Sequence, residues 1–192
     1  MKKLFSMIAA LTLLLHFLTV AQSNSPSSAN NVQVAFPFYD DVETNATSSA
    51  YWDRDTLQWK IQITNAHSGT QVWAMLPFNG SYNYLTLASN IDLSSAPNPY
   101  LSFWVRKADG GGGYVSIEAS NDGGNTWSTI WQPYFSGTLY NRLQVSLGNF
   151  RQANARIRIG CYGYSGGTYY IDDILIDNAP TPQPIVLSLP QN

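Results

Sequence analysis

Cysteine is almost absent from this chain, and Cys161 is its only one. No disulfide can form within the chain, so stability must come from a packed core, with a bound metal as the remaining kind of staple. Histidine is nearly as scarce, with two residues. His16 lies in the N-terminal apolar stretch, which leaves His67 alone in the rest of the sequence. A zinc cluster needs more ligands than that, and a Ser-His-Asp triad would rest on one residue in a turn. Charged residues make up 11% of the chain, and Glu43 and Glu118 are the only glutamates. A glycosidase pair could be built from aspartates, but no motif singles out two of them. The chain therefore reads as non-catalytic. It also lacks an excess of positive charge: the formal net charge is −2. Without Lys2 and Lys3 it becomes −4, from eight bases and 12 acids. That balance argues against nucleic acid and anionic membrane surfaces as partners.

What the chain has instead is aromatic residues, at 14%, with polarity carried by Ser, Thr, Asn, Gln and Gly. This is the composition of an extracellular β protein. Its start carries the marks of secretion. Lys2 and Lys3 precede an apolar run from Leu4 to Val20, which ends in the small-residue exit Thr19-Val20-Ala21. Residues 1–21 are assigned as a signal peptide, with cleavage after Ser23 as the second choice, and the alternative is an uncleaved membrane anchor. After cleavage no membrane insertion is expected. Residues 22–31 read as a flexible leader, 32–177 as one folded domain, and 178–192 as a Pro-rich tail.

Within the domain the apolar residues recur with period two. Leu101, Phe103 and Val105 form one such run, and Val115, Ile117 and Ala119 another. Leu143, Val145 and Leu147 follow, then Ile157, Ile159 and Cys161. Further strands are predicted near 33–43, 57–64, 71–76, 82–88 and 168–177, separated by clusters of Gly, Asn, Pro and Asp. No helix is predicted. Nine or ten short strands, each with one apolar face, imply an all-β, two-sheet antiparallel sandwich. The parity of Cys161 makes it a buried apolar residue rather than a reactive thiol.

Ser120-Asn121-Asp122-Gly123-Gly124-Asn125-Thr126-Trp127 fits the Asp-box pattern S-x-D-x-G-x-T-W. Its physics is that of a hairpin turn: Asp122 accepts bonds from amides, glycines allow positive φ, and Trp127 packs over the loop. One box on a chain this short reads as a hairpin staple and not as a sialidase propeller. A wider set of motifs runs in order: Phe38-Tyr39-Asp40-Asp41-Val42-Glu43, Ala66-His67-Ser68-Gly69-Thr70, Ile91-Asp92-Leu93-Ser94, Pro99-Tyr100-Leu101-Ser102-Phe103-Trp104 and Tyr169-Tyr170-Ile171-Asp172-Asp173-Ile174. In this order they resemble the MAM-like jelly-roll modules of bacterial secreted proteins, such as those of immune inhibitor A-type peptidases, cleaved adhesins and reelin subrepeats. Several carbohydrate-binding modules are similar. The resemblance covers about residues 36–177 and implies a jelly-roll fold.

The resemblance also implies a structural Ca²⁺, with Glu43 on the first strand, Asp172 on the last, and Thr70 offering a carbonyl. Asp41 and Asp173 are possible additions. Calcium takes about six to eight oxygens, several of them anionic, which suits these residues. Parity places Asp172 on the core-facing side with Ile174 and Ile176, where a lone carboxylate needs a partner; two exposed acidic strand ends are the alternative. For a ligand surface, parity turns Trp104, Arg106, Ser116, Glu118, Arg156, Arg158 and Tyr162 outward. If their strands are neighbours, they form a face on which aromatic rings stack on sugars while Arg and Glu bond hydroxyls. The same face also reads as a charge-paired solvated surface. Trp131, Tyr134 and Phe135 form a second cluster, read as core. The expected role is a secreted binding or adhesion module for carbohydrate or a cell-surface ligand, with a scaffold or protein-interaction module accessory to a secreted enzyme as the alternative.

Overall fold

The computed structural model describes residues 34–76, 80–109, 112–163 and 167–179. The signal peptide, the leader and most of the Pro-rich tail lie outside the described residues. In chain order the elements are β1 (Phe38–Asp40), α1 (Asn45–Tyr51), β2 (Trp52–Arg54), β3 (Trp59–Gln62), β4 (Val72–Met75), β5 (Tyr82–Leu87), β6 (Pro99–Lys107) and β7 (Gly113–Ser120). There follow β8 (Ser128–Trp131), β9 (Tyr134–Phe135), β10 (Asn141–Ser146), β11 (Arg156–Gly163) and β12 (Tyr169–Asn178).

These strands form two antiparallel sheets, the predicted jelly-roll sandwich. The first runs β10-β6-β12-β4-β3, with β1 lying beside the C-terminal half of β12. The second runs β2-β5-β11-β7-β8, with β9 continuing the line of β8 along β7. Alternate residues fill the space between the sheets, as period two requires. Leu101, Phe103 and Val105 of β6 face Val115, Ile117 and Ala119 of β7 and Ile157, Ile159 and Cys161 of β11 in one buried cluster. Each such side chain contributes about 1.5–3 kcal/mol by leaving water. Trp52, Trp59 and Trp73 are also buried, and Trp52 and Trp73 lie against Asp40 of β1.

The first and last strands are adjacent, with Phe38 opposite Ile176 and Asp40 opposite Ile174. Asp40 is what seats β1 there. Its buried carboxylate accepts bonds from the Val42 amide (3.1 Å), the Ser48 hydroxyl (2.6 Å), the Trp52 indole (2.8 Å) and the Trp73 indole (3.3 Å). Those donors lie after β1, in α1, in β2 and in β4, so one side chain links both sheets. Helix α1 departs from the all-strand expectation. Its seven residues are too few for a helical period to show in the sequence, and tertiary bonds through Ser48 hold it.

Three further differences follow from packing. The strand predicted over 33–43 is reduced to three residues, because the chain turns at Val42, which has φ of 63°. Strands β2, β8 and β9 are too short to carry an alternating pattern. Asp172 does not share the face of Ile174 and Ile176. A β-bulge between Asp172 and Leu175, with Asp173 at φ 50°, inserts an extra residue and shifts the parity. Asp172 therefore shares the outer face of Tyr170, while Ile171, Ile174 and Ile176 point inward.

Two outcomes are expected. Asp40→Ala leaves two buried indole N–H groups without an acceptor, so urea unfolding should show a loss of about 3 kcal/mol. Cys161 is fully buried, and burial pushes its thiol well above the ordinary range. Native protein should therefore react with a thiol reagent only as fast as it unfolds, and rapid native labelling would show that β11 is faced the other way.

Candidate functional site

The outward residues expected to form one face are divided between the two sheets. Trp104 and Arg106 lie on β6 in the first sheet, whereas Ser116, Glu118, Arg156, Arg158 and Tyr162 lie on β7 and β11 in the second. Strands β6 and β7 are consecutive in sequence, but the chain crosses from one sheet to the other between them. Their outer faces therefore look in opposite directions.

On the first sheet, the segment joining β3 to β4 folds back over the outer face. His67 stacks on Trp104, with ring centroids 4.0 Å apart and planes 14° apart. Arg106 donates to Asn65 Oδ1 at 2.5 Å and lies over the rings of Tyr170 (4.7 Å) and Tyr140 (5.5 Å). Ala66 and Tyr140 complete a small second cluster over Val72, Ala74 and Tyr170. Trp104 and Arg106 are thus engaged in holding this segment down. A shallow depression of about 310 Å³ remains between Trp104, Tyr39, Leu175 and Arg142.

The expected metal donors gather under the same segment. Glu43 Oε1 accepts from the Thr70 and Gln71 amides, both at 2.8 Å, and Oε2 accepts from the Thr70 hydroxyl at 2.9 Å. Asp172 Oδ2 accepts from the amides of His67 (2.8 Å) and Ser68 (3.2 Å). Asp173 accepts from the hydroxyls of Tyr39 and Ser68, both at 2.8 Å, and contacts His67 Nδ1 at 2.7 Å. Asp41 accepts from the Glu43 amide at 3.1 Å. Burial pushes the Asp172 carboxyl up to about 6 in spite of its amide donors. For Glu43 the Gln71 and Thr70 amides lower it. The donor chemistry fits a hard cation, with acidic oxygens on both sides of one turn. The arrangement is not a ready-made cage: among the described residues no three acidic, His or Cys side chains group closely enough to hold a metal ion.

The centre of the second sheet's outer face is a network built on Gly160, with Ser116 and Glu118 buried within it. A Cβ at Gly160 would meet the Tyr84 ring at 2.6 Å and the Tyr82 ring at 3.3 Å, so glycine lets both rings lie close over β11. Tyr84 thereby reaches across to β7, where its hydroxyl donates to Glu118 Oε1 at 2.8 Å. Ser116 donates to the same oxygen at 3.0 Å. Arg158, opposite Glu118 in the ladder, donates to Oε2 through Nε (2.8 Å) and Nη2 (2.5 Å). Its guanidinium lies 4.0 Å from the Tyr84 ring centroid and 4.2 Å from that of Trp127. Burial acts to raise the Glu118 carboxyl, but the bonds from Arg158, Tyr84 and Ser116 outweigh it and hold Glu118 below its ordinary value. Burial and the bond to Glu118 push the Tyr84 phenol up to about 12.

Next to this network the ladder sets four tyrosines abreast. Tyr82 of β5 pairs with Tyr162 of β11, Tyr162 with Tyr114 of β7, and Tyr114 with Tyr134 of β9. Ring centroids are 5.0 Å apart for Tyr82 and Tyr162, and 5.4 Å apart for Tyr114 and Tyr134. Gln132 donates to the Tyr82 hydroxyl at 2.5 Å. Tyr134 is 62% exposed, and Trp131 is also exposed, so of the second aromatic cluster only Phe135 joins the core. Arg156 serves the frame of this face. It donates to the Leu87 carbonyl (2.6 Å) and to Asp53 (2.7 Å).

The turn at 120–127 delivers Trp127 to Arg158. Asp122 accepts from the Ser120 hydroxyl (2.6 Å) and from the Thr126 amide (2.8 Å) and hydroxyl (2.7 Å), while Gly123 and Gly124 take positive φ. The Ser120 and Thr126 donors hold the Asp122 carboxyl down to about 2. Parity reasoning found Arg158, Glu118 and Tyr162 but passed over Tyr82, Tyr84 and Tyr114, and Tyr134 was read as core. The alternation of Tyr82 and Tyr84 with Leu85 and Leu87 was a usable signal for two of them.

No family model matches the chain, and no curated protein matches it in sequence. Solved structures do match. The K2 cleaved adhesin domain of Lys-gingipain superposes with a TM-score of 0.57 at 16% identity, over 73% of this chain and 98% of that one. The C-terminal family 22 carbohydrate-binding module of a Clostridium thermocellum protein gives 0.57 at 15%, over 74% and 93%. TmCBM61 in complex with beta-1,4-galactotriose gives 0.51 at 16%, over 67% and 87%. At these identities the likeness is one of fold, and this chain has the jelly-roll fold that cleaved adhesin domains share with carbohydrate-binding modules.

Proposed function

We propose that this protein is a secreted, non-catalytic module that binds carbohydrate on the outer face of its second sheet. The observation that carries this reading is the aromatic face built around Tyr84, Glu118, Arg158 and Trp127. Sugars present apolar C–H faces and a dense set of hydroxyls. Tyrosines answer both, with a broad ring and a hydroxyl at its tip. The network beneath is assembled before any ligand arrives, which limits the ordering cost of binding. The solved folds that resemble this one support the reading, since several are named as carbohydrate-binding modules. The Lys-gingipain domains keep adhesion to an extracellular protein as the competing role.

A structural calcium ion is part of the proposal. Glu43, Thr70 and Asp172 would hold it, with Asp41 and Asp173 in support. Bound, it would supply the positive charge that the fully buried Asp172 otherwise lacks among its hydrogen-bond partners. It would also tie the 66–71 turn to the segment that follows the first strand, where Glu43 lies, and to the last strand.

A glycan array followed by titration calorimetry tests the binding claim. Tyr82→Ala should weaken the best glycan about tenfold, equivalent to about 1.4 kcal/mol. Gly160→Ala, which drives a methyl into the Tyr84 ring, should weaken it at least as much. Gln144→Ala, exposed on the other sheet, should change nothing. Retention of an extracellular protein with no glycan bound would establish the scaffold role instead.

Melting in EGTA and in millimolar Ca²⁺ tests the metal. The wild type should melt several degrees higher in Ca²⁺, and Asp172→Asn should respond little. Proton linkage offers a second readout. A carboxyl at about 6 in the folded state and about 3.9 unfolded binds its proton more tightly when folded. In EGTA the wild type should therefore lose stability relative to Asp172→Asn as pH rises from about 4 to about 6. Identical melting in both buffers would mean that the amide bonds to Glu43 and Asp172 are the whole of the staple.

A further inference from the structure

The order of side chains on the second sheet's outer face narrows the ligand beyond carbohydrate in general; this inference rests on the binding role proposed above. We propose that the ligand is an uncharged, linear glycan that lies across the strands along Tyr82, Tyr162, Tyr114 and Tyr134, bound at an internal stretch and not at a chain end.

Three features point this way. The first is direction. The four tyrosines are register partners in four neighbouring strands, so their line runs perpendicular to the strands. Strands are spaced about 4.8 Å apart, and three spacings span about 14 Å, the reach of several sugar units. Along the strands the surface is different: two residues from the tyrosines it passes into Tyr84, then into Arg158 with Trp127 against it. That network forms one flank of the row.

The second feature is that the row is open at both ends among the described residues. Strand β2 pairs with β5 only over Leu85 to Leu87, so it does not reach past Tyr82. At the other end Tyr134 stands on the sheet edge, 62% exposed. A site for a chain terminus needs a wall across the line of the ligand, and the described strands build none.

The third feature is charge. The strands of this face carry four charged side chains outward, Asp53, Glu118, Arg156 and Arg158, and they are joined in two ion pairs. Arg158 meets Glu118 at 2.5 Å and Arg156 meets Asp53 at 2.7 Å. Glu118 is further saturated by Tyr84 and Ser116. A uronate or sulfated chain needs cations free to meet it, and both arginines here are committed to carboxylates. The polar groups along the row, the tyrosine hydroxyls and the Gln132 amide that donates to Tyr82, are uncharged, which suits neutral hydroxyls.

Titration calorimetry with xylo-, gluco-, galacto- and manno-oligosaccharides of two to six units tests the proposal, with oligogalacturonates of matched length as the charged set. In the preferred neutral series affinity should climb with each unit to about four and then level off. Reduction of the terminal unit should leave the hexamer's affinity unchanged, as should a rise from low to high salt. Tyr134→Ala, at the exposed end of the row, should weaken the hexamer several-fold and leave the dimer untouched. Saturation at the dimer, dependence on an intact chain end, or tighter and salt-sensitive binding of the oligogalacturonates would each overturn the inference while leaving carbohydrate binding in place. Absence of binding to every glycan would instead overturn the binding role itself.

Discussion

The carboxylate of Asp40, at the end of the first strand, accepts hydrogen bonds from both sheets, from the short helix and from the turn that follows the strand. Hydrogen bonds to a charged, buried acceptor are strong individually and costly to leave unmade. With β1 seated by Asp40, the edge of β12 is paired through Leu175 and Ile176, just beyond the bulge at Asp173. The bulge in turn aims Asp172 and Asp173 outward, at the turn that carries His67 and Ser68. A chain with no disulfide is thus closed, end to end, by carboxylates that gather amides and hydroxyls from distant segments.

This closure has a consequence for the surface. The segment between β3 and β4 is drawn over the first sheet, where His67 stacks on Trp104 and meets Tyr140 edge-on, with Arg106 over the Tyr140 ring. That side of the sandwich becomes largely a protected outer layer. On the second sheet the aromatic side chains are held in place from below by Gly160 and from the side by Trp127. The two faces carry similar residue types, yet one is a clamp for the fold and the other carries the proposed ligand site.

Charge is handled differently on the two faces as well. On the first, acids outnumber bases, and their oxygens are directed into a turn, a setting that suits a hard cation. On the second, each arginine is matched to one carboxylate, so rigidity is achieved with no net field. Arg158 keeps its place through two aromatic contacts and two bonds to one oxygen, a geometry that lysine could not reproduce.

Much of this was readable from residues alone. Period-two alternation identified the long strands and their buried faces, because pleating sends successive side chains to opposite sides wherever a strand lies. It therefore placed Phe103, Ile117, Ile159 and Cys161 in the core, and the outward parity of Arg158 and Glu118 followed with it. The turn at 120–127 was legible for the same local reason, since Ser120, Asp122 and Thr126 bond within a few residues of one another. Strands β2, β8 and β9 and the helix at 45–51 left no period to read. Parity also says nothing about neighbours. Only the tertiary structure put β6 in one sheet and β7 in the other, which separated Trp104 from Glu118. Only the ladder brought Tyr82, Tyr114, Tyr134 and Tyr162, scattered over 80 positions, into one row. And only the bulge at Asp173 turned Asp172 away from the core: one extra residue, invisible in a pattern of alternation, reverses every face beyond it.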